Sequence, residues 1–378
     1  MVKKDQIDLK NVGLSKYVVK NDTGNERTKQ ILMRIENIIL NIVKSLYNNN
    51  KLVINLTKLS NWSTCFYDNK KHLMTKTLRF QTKRSRINNT IIIYLLSKIY
   101  KNLMTKNSCT TRELYYGDTI LFKHSNTVRK ALIDICCLLG TKSWELGITL
   151  SSSGLVAGNL IIYMSNGTFL DCSCTTEGVQ IPQDILEIDN LESKAKYILI
   201  IEKNASFQKI INEGLLNTNK YTFIMITGKG FPDINTRLFV KQLSCKLNIP
   251  ILALVDANPF GIEIMCVYRF GSNSMVHQNE MLCVPSIKWL GVYPTDIVSL
   301  NLPSITLTSL DQERLKSLLK RSYINSNHKL LQQVFLKLNV LMLHNLNRKS
   351  EIESLTTFTQ TYLTEVYIKK KILTQDFI

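Results

Sequence analysis

Apolar positions at Ile31, Ile35, Ile38, Ile39, Ile42 and Leu46 recur at helical spacing and predict a helix over 26–48. A second helical pattern runs from Ile87 to about Met104. Thr110-Thr111-Arg112-Glu113 places a Thr three residues before a Glu, the arrangement of a capping box, and opens a short helix carrying Leu114, Tyr115 and Tyr116. Val128, Ala131, Leu132, Ile135 and Leu139 share one face of a further helix, with Asn126 the expected N-cap and Gly140 the stop. Strand-like runs follow at 147–150, 160–164 and 168–172, and Asn166-Gly167 between the last two reads as a hairpin turn. Three helices and a hairpin describe a winged helix-turn-helix, whose 127–139 helix would present Arg129 and Lys130 to a DNA groove. A small α+β domain without DNA affinity would leave the same pattern.

The second half changes period. Short apolar runs at 197–201, 222–226 and 249–255 alternate with helical stretches near 204–214, 232–247 and 260–268. Continuous apolar strands alternating with helices predict a parallel sheet buried on both faces. Beyond residue 300 the pattern is mainly helical, at about 310–321, 328–347 and 350–364. The expected fold class is therefore α/β with α+β: a CAP-like, winged-helix part followed by a parallel-sheet part with C-terminal helices.

Charge adds a partner class. The 378 residues carry a net charge of +19, and residues 1–110 alone hold 21 basic and 6 acidic side chains. So uneven a balance points to a polyanion, either nucleic acid or an acidic membrane surface. Seven cations and no acid lie between Lys70 and Arg86, namely Lys70, Lys71, Lys76, Arg79, Lys83, Arg84 and Arg86. This segment fits either a solvated loop or a track for phosphates. No apolar run approaches the ~18 residues of a membrane span. Met1-Val2-Lys3-Lys4-Asp5 lacks an apolar signal core, so secretion is not expected. The nine Cys are scattered without a CxxC pair, and the five His show no ligand spacing, which speaks against zinc and a disulfide framework.

Ligands of parallel α/β sheets bind beyond the carboxyl ends of the strands. Those ends carry Glu202-Lys203, Thr227-Gly228-Lys229-Gly230 and Asp256-Ala257-Asn258-Pro259-Phe260-Gly261. Carboxylates at two strand ends suit Mg²⁺, which takes one or two protein carboxylates plus phosphate oxygens, although strand-end acids also cap helices. Gly228-Lys229-Gly230 is no P-loop, because Gly follows the Lys and Phe stands at 223. Tyr115-Tyr116 fits a packed helix face. With a pKa near ~10, a tyrosine needs help to act as a nucleophile.

Six motifs now stand in order: 111–116, 152–160, 201–203, 226–233, 255–265 and 285–291. Together they resemble the eukaryotic meiotic double-strand-break transesterases, relatives of the A-type component of type IIB topoisomerase VI. The resemblance runs from about residue 85 to the C-terminus. It implies a basic N-terminal extension (1–84), a winged-helix domain with the catalytic tyrosine (85–175) and a Toprim domain with C-terminal helices (176–378).

The resemblance also implies a reaction. A tyrosine, mapping to Tyr116, attacks a DNA phosphodiester and becomes linked to the 5′ phosphate, without hydrolysis. Arg112 lies four residues earlier, on the same helical face, where it could hold the scissile phosphate. Mg²⁺ would be held by Glu202, Asp256 and Asn258, while Lys229, Asp233 and Arg237 match the family's pattern between the strands. DNA contacts are expected from Arg129, Lys130, Lys229, Arg237, Lys83, Arg84 and Arg86. The implied partners are duplex DNA, a second A-type protomer whose metal site meets this tyrosine, an ATP-hydrolysing B-type partner and accessory meiotic break proteins. The implied place is the nucleus, with no membrane. The Ile31–Leu46 helix is the expected B-type contact.

Three positions depart from the family pattern: Asn258 where a second Asp is usual, Ser153 where Lys is usual, and Asn204 where Asp is frequent. Two other readings therefore stand beside the cleaving enzyme. One is a topoisomerase VI A-type protein that reseals its breaks, the other a non-catalytic DNA-binding component.

Overall fold

The computed structural model describes residues 22–48, 53–59, 73–80, 82–149, 152–173, 177–217, 222–272, 275, 278–325 and 331–378. Lys70 and Lys71 of the 1–84 extension lie outside the described residues. The chain divides into two compact units, Met1–Thr57 with Thr75–Ile148, and Lys58–Met74 with Thr149–Ile378.

The first unit is mainly helical. It contains α1 (Asp22–Tyr47), most of β1 (Val53–Leu59) and β2 (Leu73–Arg79), α2 (Lys83–Thr105), β3 (Cys109–Thr110), α3 (Thr111–Tyr116), α4 (Thr119–Phe122) and α5 (Ser125–Leu139), and ends within β4 (Ile148–Thr149). Its core joins Ile31 and Ile35 of α1, Ile91, Ile92, Leu95, Leu96 and Ile99 of α2, Leu114 and Phe122, and the apolar stripe Val128–Ala131–Leu132–Ile135–Leu139 of α5. These are the helical-period positions of the sequence, so the apolar stripes do assemble one core. Gly140 stops α5 in the left-handed region (φ 58°), as expected. Asn126 is not its cap. Lys123 turns left-handed (φ 61°), His124 takes the extended cap position, and Asn126 falls inside the first turn, where its side chain cannot cap.

The second unit is built on a six-stranded sheet. In chain order it holds β5 (Leu155–Gly158), β6 (Ile161–Met164), β7 (Phe169–Asp171), β8 (Val179–Gln180), β9 (Ile188–Glu192), β10 (Tyr197–Ile201), α6 (Asn204–Asn212), β11 (Phe223–Thr227), α7 (Ile234–Leu247), β12 (Ile251–Leu254), α8 (Pro259–Phe270), α9 (Asn279–Leu282), β13 (Lys288–Gly291) and α10 (Pro294–Ser299). The sheet order is β13-β12-β10-β11-β5-β8. β10 runs parallel to both β11 and β12, and β12 parallel to β13, whereas β5 is antiparallel to β11 and β8 to β5. The strand residues of β11 and β12 are all buried, which is why they read as unbroken apolar runs.

The register sets the site. Ile201 pairs with Thr227 on one side and Leu254 on the other, so the carboxyl ends of β10, β11 and β12 finish side by side.

Two expectations change here. The hairpin expected as a wing exists, turned by Gly167 (φ 82°) with Asn166 Oδ1 accepting from Thr168 N at 2.9 Å. It falls within the second unit, in a three-stranded sheet of order β7-β6-β9. The 350–364 helix is instead a 3-10 turn at Ile352–Thr357 and a π-helical stretch at Tyr362–Ile368. The Ile352 N–H at the start of the 3-10 turn donates to Asp256 Oδ1 (2.9 Å). Before it come β14 (Ile305–Thr306), α11 (Ser309–Leu319), α12 (Ser322–Asn325), α13 (Leu331–Leu346) and β15 (Arg348–Lys349), and α14 (Lys369–Leu373) ends the unit.

Candidate active site

In the first unit, α3 is closed at its start by a reciprocal capping box. Glu113 N donates to Thr110 Oγ1 and Thr110 N donates to Glu113 Oε2, both at 3.1 Å. The helix turns Leu114 inward. Tyr115 is half-buried against the core, its hydroxyl 3.5 Å from Lys123 O. Tyr116 is 72% exposed. Arg112 is also exposed. The structure thus separates two tyrosines that spacing alone left equivalent.

Arg129 and Lys130 are exposed on α5, as expected, and Lys83, Arg84 and Arg86 are exposed in the first turns of α2. Three cations and no acid at that helix start oppose the helix dipole. Helix stability does not account for them.

The second unit brings Glu202 and Asp256 together. Glu202 follows β10 and Asp256 lies two residues past β12; both are buried. Asp256 N donates to Glu202 Oε2 at 2.8 Å. Burial raises both carboxyls above their ordinary range; the Asp256 charge adds to this at Glu202, whereas Ile352 N and Lys203 oppose it at Asp256. Two adjacent carboxylates that resist ionising together are a donor set a cation relieves. Gly230 N donates to Glu202 O at 2.8 Å, so the exposed Lys229 (φ 57°) rides on a turn tied to the same strand end.

Lys203 closes the cluster. Its Nζ lies 3.0 Å from Asp256 Oδ2, 3.0 Å from Glu351 Oε2 and 2.9 Å from Glu353 Oε2. Among the described residues no group of three or more His, Cys, Asp or Glu is arranged to hold a metal ion. Three carboxylates do surround one point, but an ammonium takes it. Sequence reasoning missed Glu351 and Glu353. They come from a segment about 150 residues downstream, laid beside the strand end by the antiparallel bridge between Ala257 and Ser350. Their only sequence signal is an acid pair two residues apart.

Two expected site residues are corrected. Arg237, expected at DNA, is 3% exposed. It points into the unit, its Nη2 3.7 Å from Cys283 Sγ, and burial lowers its pKa despite that neighbour. A side chain so enclosed reaches no phosphate. Asn258, expected at the metal, caps α8 instead. Its Oδ1 accepts from Gly261 N at 2.7 Å, and its Nδ2 donates to Asp256 Oδ2 at 3.2 Å. Ser153, a second departure, donates through N and Oγ to Asp233 Oδ2 at 2.7 and 2.8 Å, while Asp233 Oδ1 caps α7.

Comparison with known proteins places this geometry. The family model for the Toprim domain of the topoisomerase 6 A-type/Spo11 proteins matches residues 197–372, and that for type IIB DNA topoisomerases matches residues 88–148. The first spans the parallel strands with their acidic ends, the second most of α2 and the stretch from α3 to α5. The chain is 36% identical over 362 residues to the human meiotic recombination protein SPO11, covering 93% of this chain and 90% of that protein. It is 36% identical over 297 residues to the Drosophila melanogaster meiotic recombination protein W68, covering 79% and 86%. With the A-type component of Arabidopsis thaliana DNA topoisomerase 6 it shares 32% over 307 residues, covering 80% and 70%. The chain belongs to the family of SPO11 and the A-type component of topoisomerase 6. It is a topoisomerase-like protein with a Toprim domain. Among the described residues, no helix is long and apolar enough to cross a membrane.

Proposed function

We propose that this protein forms meiotic DNA double-strand breaks by transesterification, with Tyr116 as nucleophile. The observation that carries the reading is the exposed Tyr116 on a capped helix, one turn from an exposed Arg112, inside the stretch that matches type IIB topoisomerases. The Tyr116 oxygen attacks a backbone phosphorus, the bond from phosphorus to the 3′ oxygen breaks, and that oxygen leaves to be protonated. A 5′ phosphotyrosyl link and a free 3′ hydroxyl result, with no water consumed. Arg112 lies at the i,i+4 position, where its guanidinium can hold two oxygens of the scissile phosphate. The relatives named meiotic recombination proteins support the meiotic setting and, with it, a nuclear location.

Glu202 and Asp256 fit a divalent cation by their pairing at adjacent strand ends, and Toprim domains in general bind one. Bound there, Mg²⁺ supplies stabilisation of charge on phosphate oxygens and on the leaving 3′ oxygen. Asn258 serves this centre by capping α8 and by its amide contact with Asp256. Duplex DNA would lie along Arg129, Lys130, Lys83, Arg84 and Arg86, with Lys229 near the metal. We assign the helical unit the helix-turn-helix part of a winged helix, with α5 facing the DNA. A second A-type protomer, a B-type ATPase at α1 and accessory break proteins complete the assembly, so that the tyrosine of one protomer meets the Toprim acids of the other.

The test is recovery of covalent protein–DNA adducts on 5′ ends, with the B-type partner present. Wild type yields adducts and Tyr116→Phe yields none; adducts from Tyr116→Phe would overturn the assignment. The non-catalytic reading has its own motive in Asn258. It wins if wild type yields no adduct while Asn258→Asp does. The presence of a topoisomerase 6 component among the relatives keeps the cleavage-and-religation reading in play, and it wins if breaks reseal on metal removal.

A further inference from the structure

The ammonium at the centre of the acidic cluster has no part in the transesterification just described. Lys203 is the N-cap residue of α6, its backbone held by the Phe207 N–H at 3.0 Å, so the side chain alone decides where its charge goes. That charge sits 2.9–3.0 Å from oxygens of Asp256, Glu351 and Glu353. Such a cage of three carboxylate oxygens is the environment of a hard cation. Glu353 is further anchored by Ser206 Oγ (2.9 Å) and Asp256 by Ile352 N (2.9 Å), so two of the three acids have a partner besides the lysine, and Glu351 is held by the lysine. Lysine is a compact point charge on a flexible stem, suited to entering and leaving such a cage.

We propose that Lys203 is a tethered counter-ion that fills the metal site, so that a divalent cation binds Asp256 only by displacing its ammonium. The inference rests on the reading of Glu202 and Asp256 as the metal-holding pair. It makes Lys203 a positioning residue for the metal-free state. The lysine neutralises the acids, holds the 350–353 segment against the strand end, and sets a threshold for loading. Glu351 and Glu353 then receive the displaced ammonium, or stay as spare carboxylates beside the cation.

Two measurements on the full chain test this. Mn²⁺ binding, read by calorimetry, is compared in wild type, Lys203→Met and Asp256→Asn. Removing a unit charge in contact with a metal ligand is expected to tighten Mn²⁺ binding by about tenfold or more, while lowering the melting temperature in EDTA. A merely structural lysine would lower the melting temperature and leave Mn²⁺ affinity unchanged or weaker. The second measurement needs no variant. Labelling of wild type with an amine-reactive ester, read by mass spectrometry on the Lys203 peptide, is expected to be weak in EDTA and to rise severalfold with Mg²⁺. If wild type binds Mn²⁺ through Asp256 and Lys203→Met binds no tighter, or if Mg²⁺ leaves the Lys203 label unchanged, the counter-ion inference falls while the metal reading stands. If neither wild type nor Lys203→Met binds Mn²⁺, the metal reading falls and takes the inference with it.

Discussion

Gly261→Ala isolates how closely the acidic centre is packed. In an ordinary helix this change would stabilise by about 1 kcal/mol, because alanine restricts the unfolded chain and glycine does not. Here the new methyl would stand 2.5 Å from Asp256 O, 2.8 Å from Glu202 Oε2 and 2.9 Å from Asp256 N. Ordinary contacts begin near 3.4 Å, so the neighbours must retreat by about 0.5–0.9 Å. Two of the three are backbone atoms, on a segment held by Val255 N to Gly291 O (2.8 Å) and Val292 N to Val255 O (2.7 Å). The Glu202 carboxylate is the member that can move, and moving it breaks its bond from Asp256 N. Overpacking costs about 1–3 kcal/mol, and the stranded N–H costs about 1–3 kcal/mol more. After the helix gain, a net loss of about 1–5 kcal/mol remains. Urea unfolding of the full chain reads the loss, and Mn²⁺ titration reads the displaced carboxylate as weaker binding. A variant as stable as wild type, or more stable, would refute the close approach of α8 to Glu202.

Thr110→Ala removes half of the capping box on α3 and is expected to cost about 1 kcal/mol and to lower adduct yield, whereas Thr110→Ser should match wild type in both urea unfolding and adduct assay. Asn258→Asp keeps an N-cap of equal quality but replaces the amide facing Asp256 with a carboxylate. Its melting temperature should fall in EDTA and rise more than wild type's on adding Mg²⁺; an unchanged response would remove position 258 from the centre. Buried Asp311 loses solvation, which raises its pKa, but the bonds from Lys349 Nζ (2.6 Å) and the Thr308 cap outweigh this and hold it below its ordinary range. A depressed folded pKa gives stability that is present above the unfolded value near ~3.9 and lost as pH falls through the folded one. Asp311→Asn should therefore be less stable at neutral pH and lose less on acidification, as followed by thermal melts across pH 2–7.

The parallel sheet was legible because strands buried on both faces leave unbroken apolar runs, and the helices of the first unit because one-sided burial leaves a 3.6-residue stripe. Glu202 and Asp256 were legible because the end of a parallel strand is a position that sequence can name. What escaped depends on contacts between distant segments. Nothing local in Glu351 and Glu353 announces the Ala257–Ser350 bridge that carries them to Asp256. Arg237 reads as a surface cation by residue type, and only the packing of α7 against α9 shows it enclosed beside Cys283. The 166–167 turn stands where Asn-Gly predicts it, but a turn does not say which sheet its strands join, and β9 takes this hairpin into the second unit. The π-helical stretch at Tyr362–Ile368 keeps a helical apolar pattern, so periodicity could not tell it from an α-helix.

The choice between Tyr115 and Tyr116 shows how a core residue can specify a reactive one. Each helical residue advances about 100° around the axis. Burying Leu114 therefore turns position 116, about 200° away, toward the opposite, solvent side, and leaves position 115 on the flank. That is the observed order: Leu114 buried, Tyr115 half-buried, Tyr116 72% exposed. Arg112, about 400° before Tyr116, returns to within about 40° of it and shares its face. The capping box fixes where the helix starts, and so fixes this rotation. A one-residue slip of the start would rotate the helix by about 100° and bring Tyr115 to the surface in place of Tyr116. The pairing of an exposed tyrosine with an arginine one turn earlier thus follows from Thr110, Glu113 and Leu114, none of which would touch DNA.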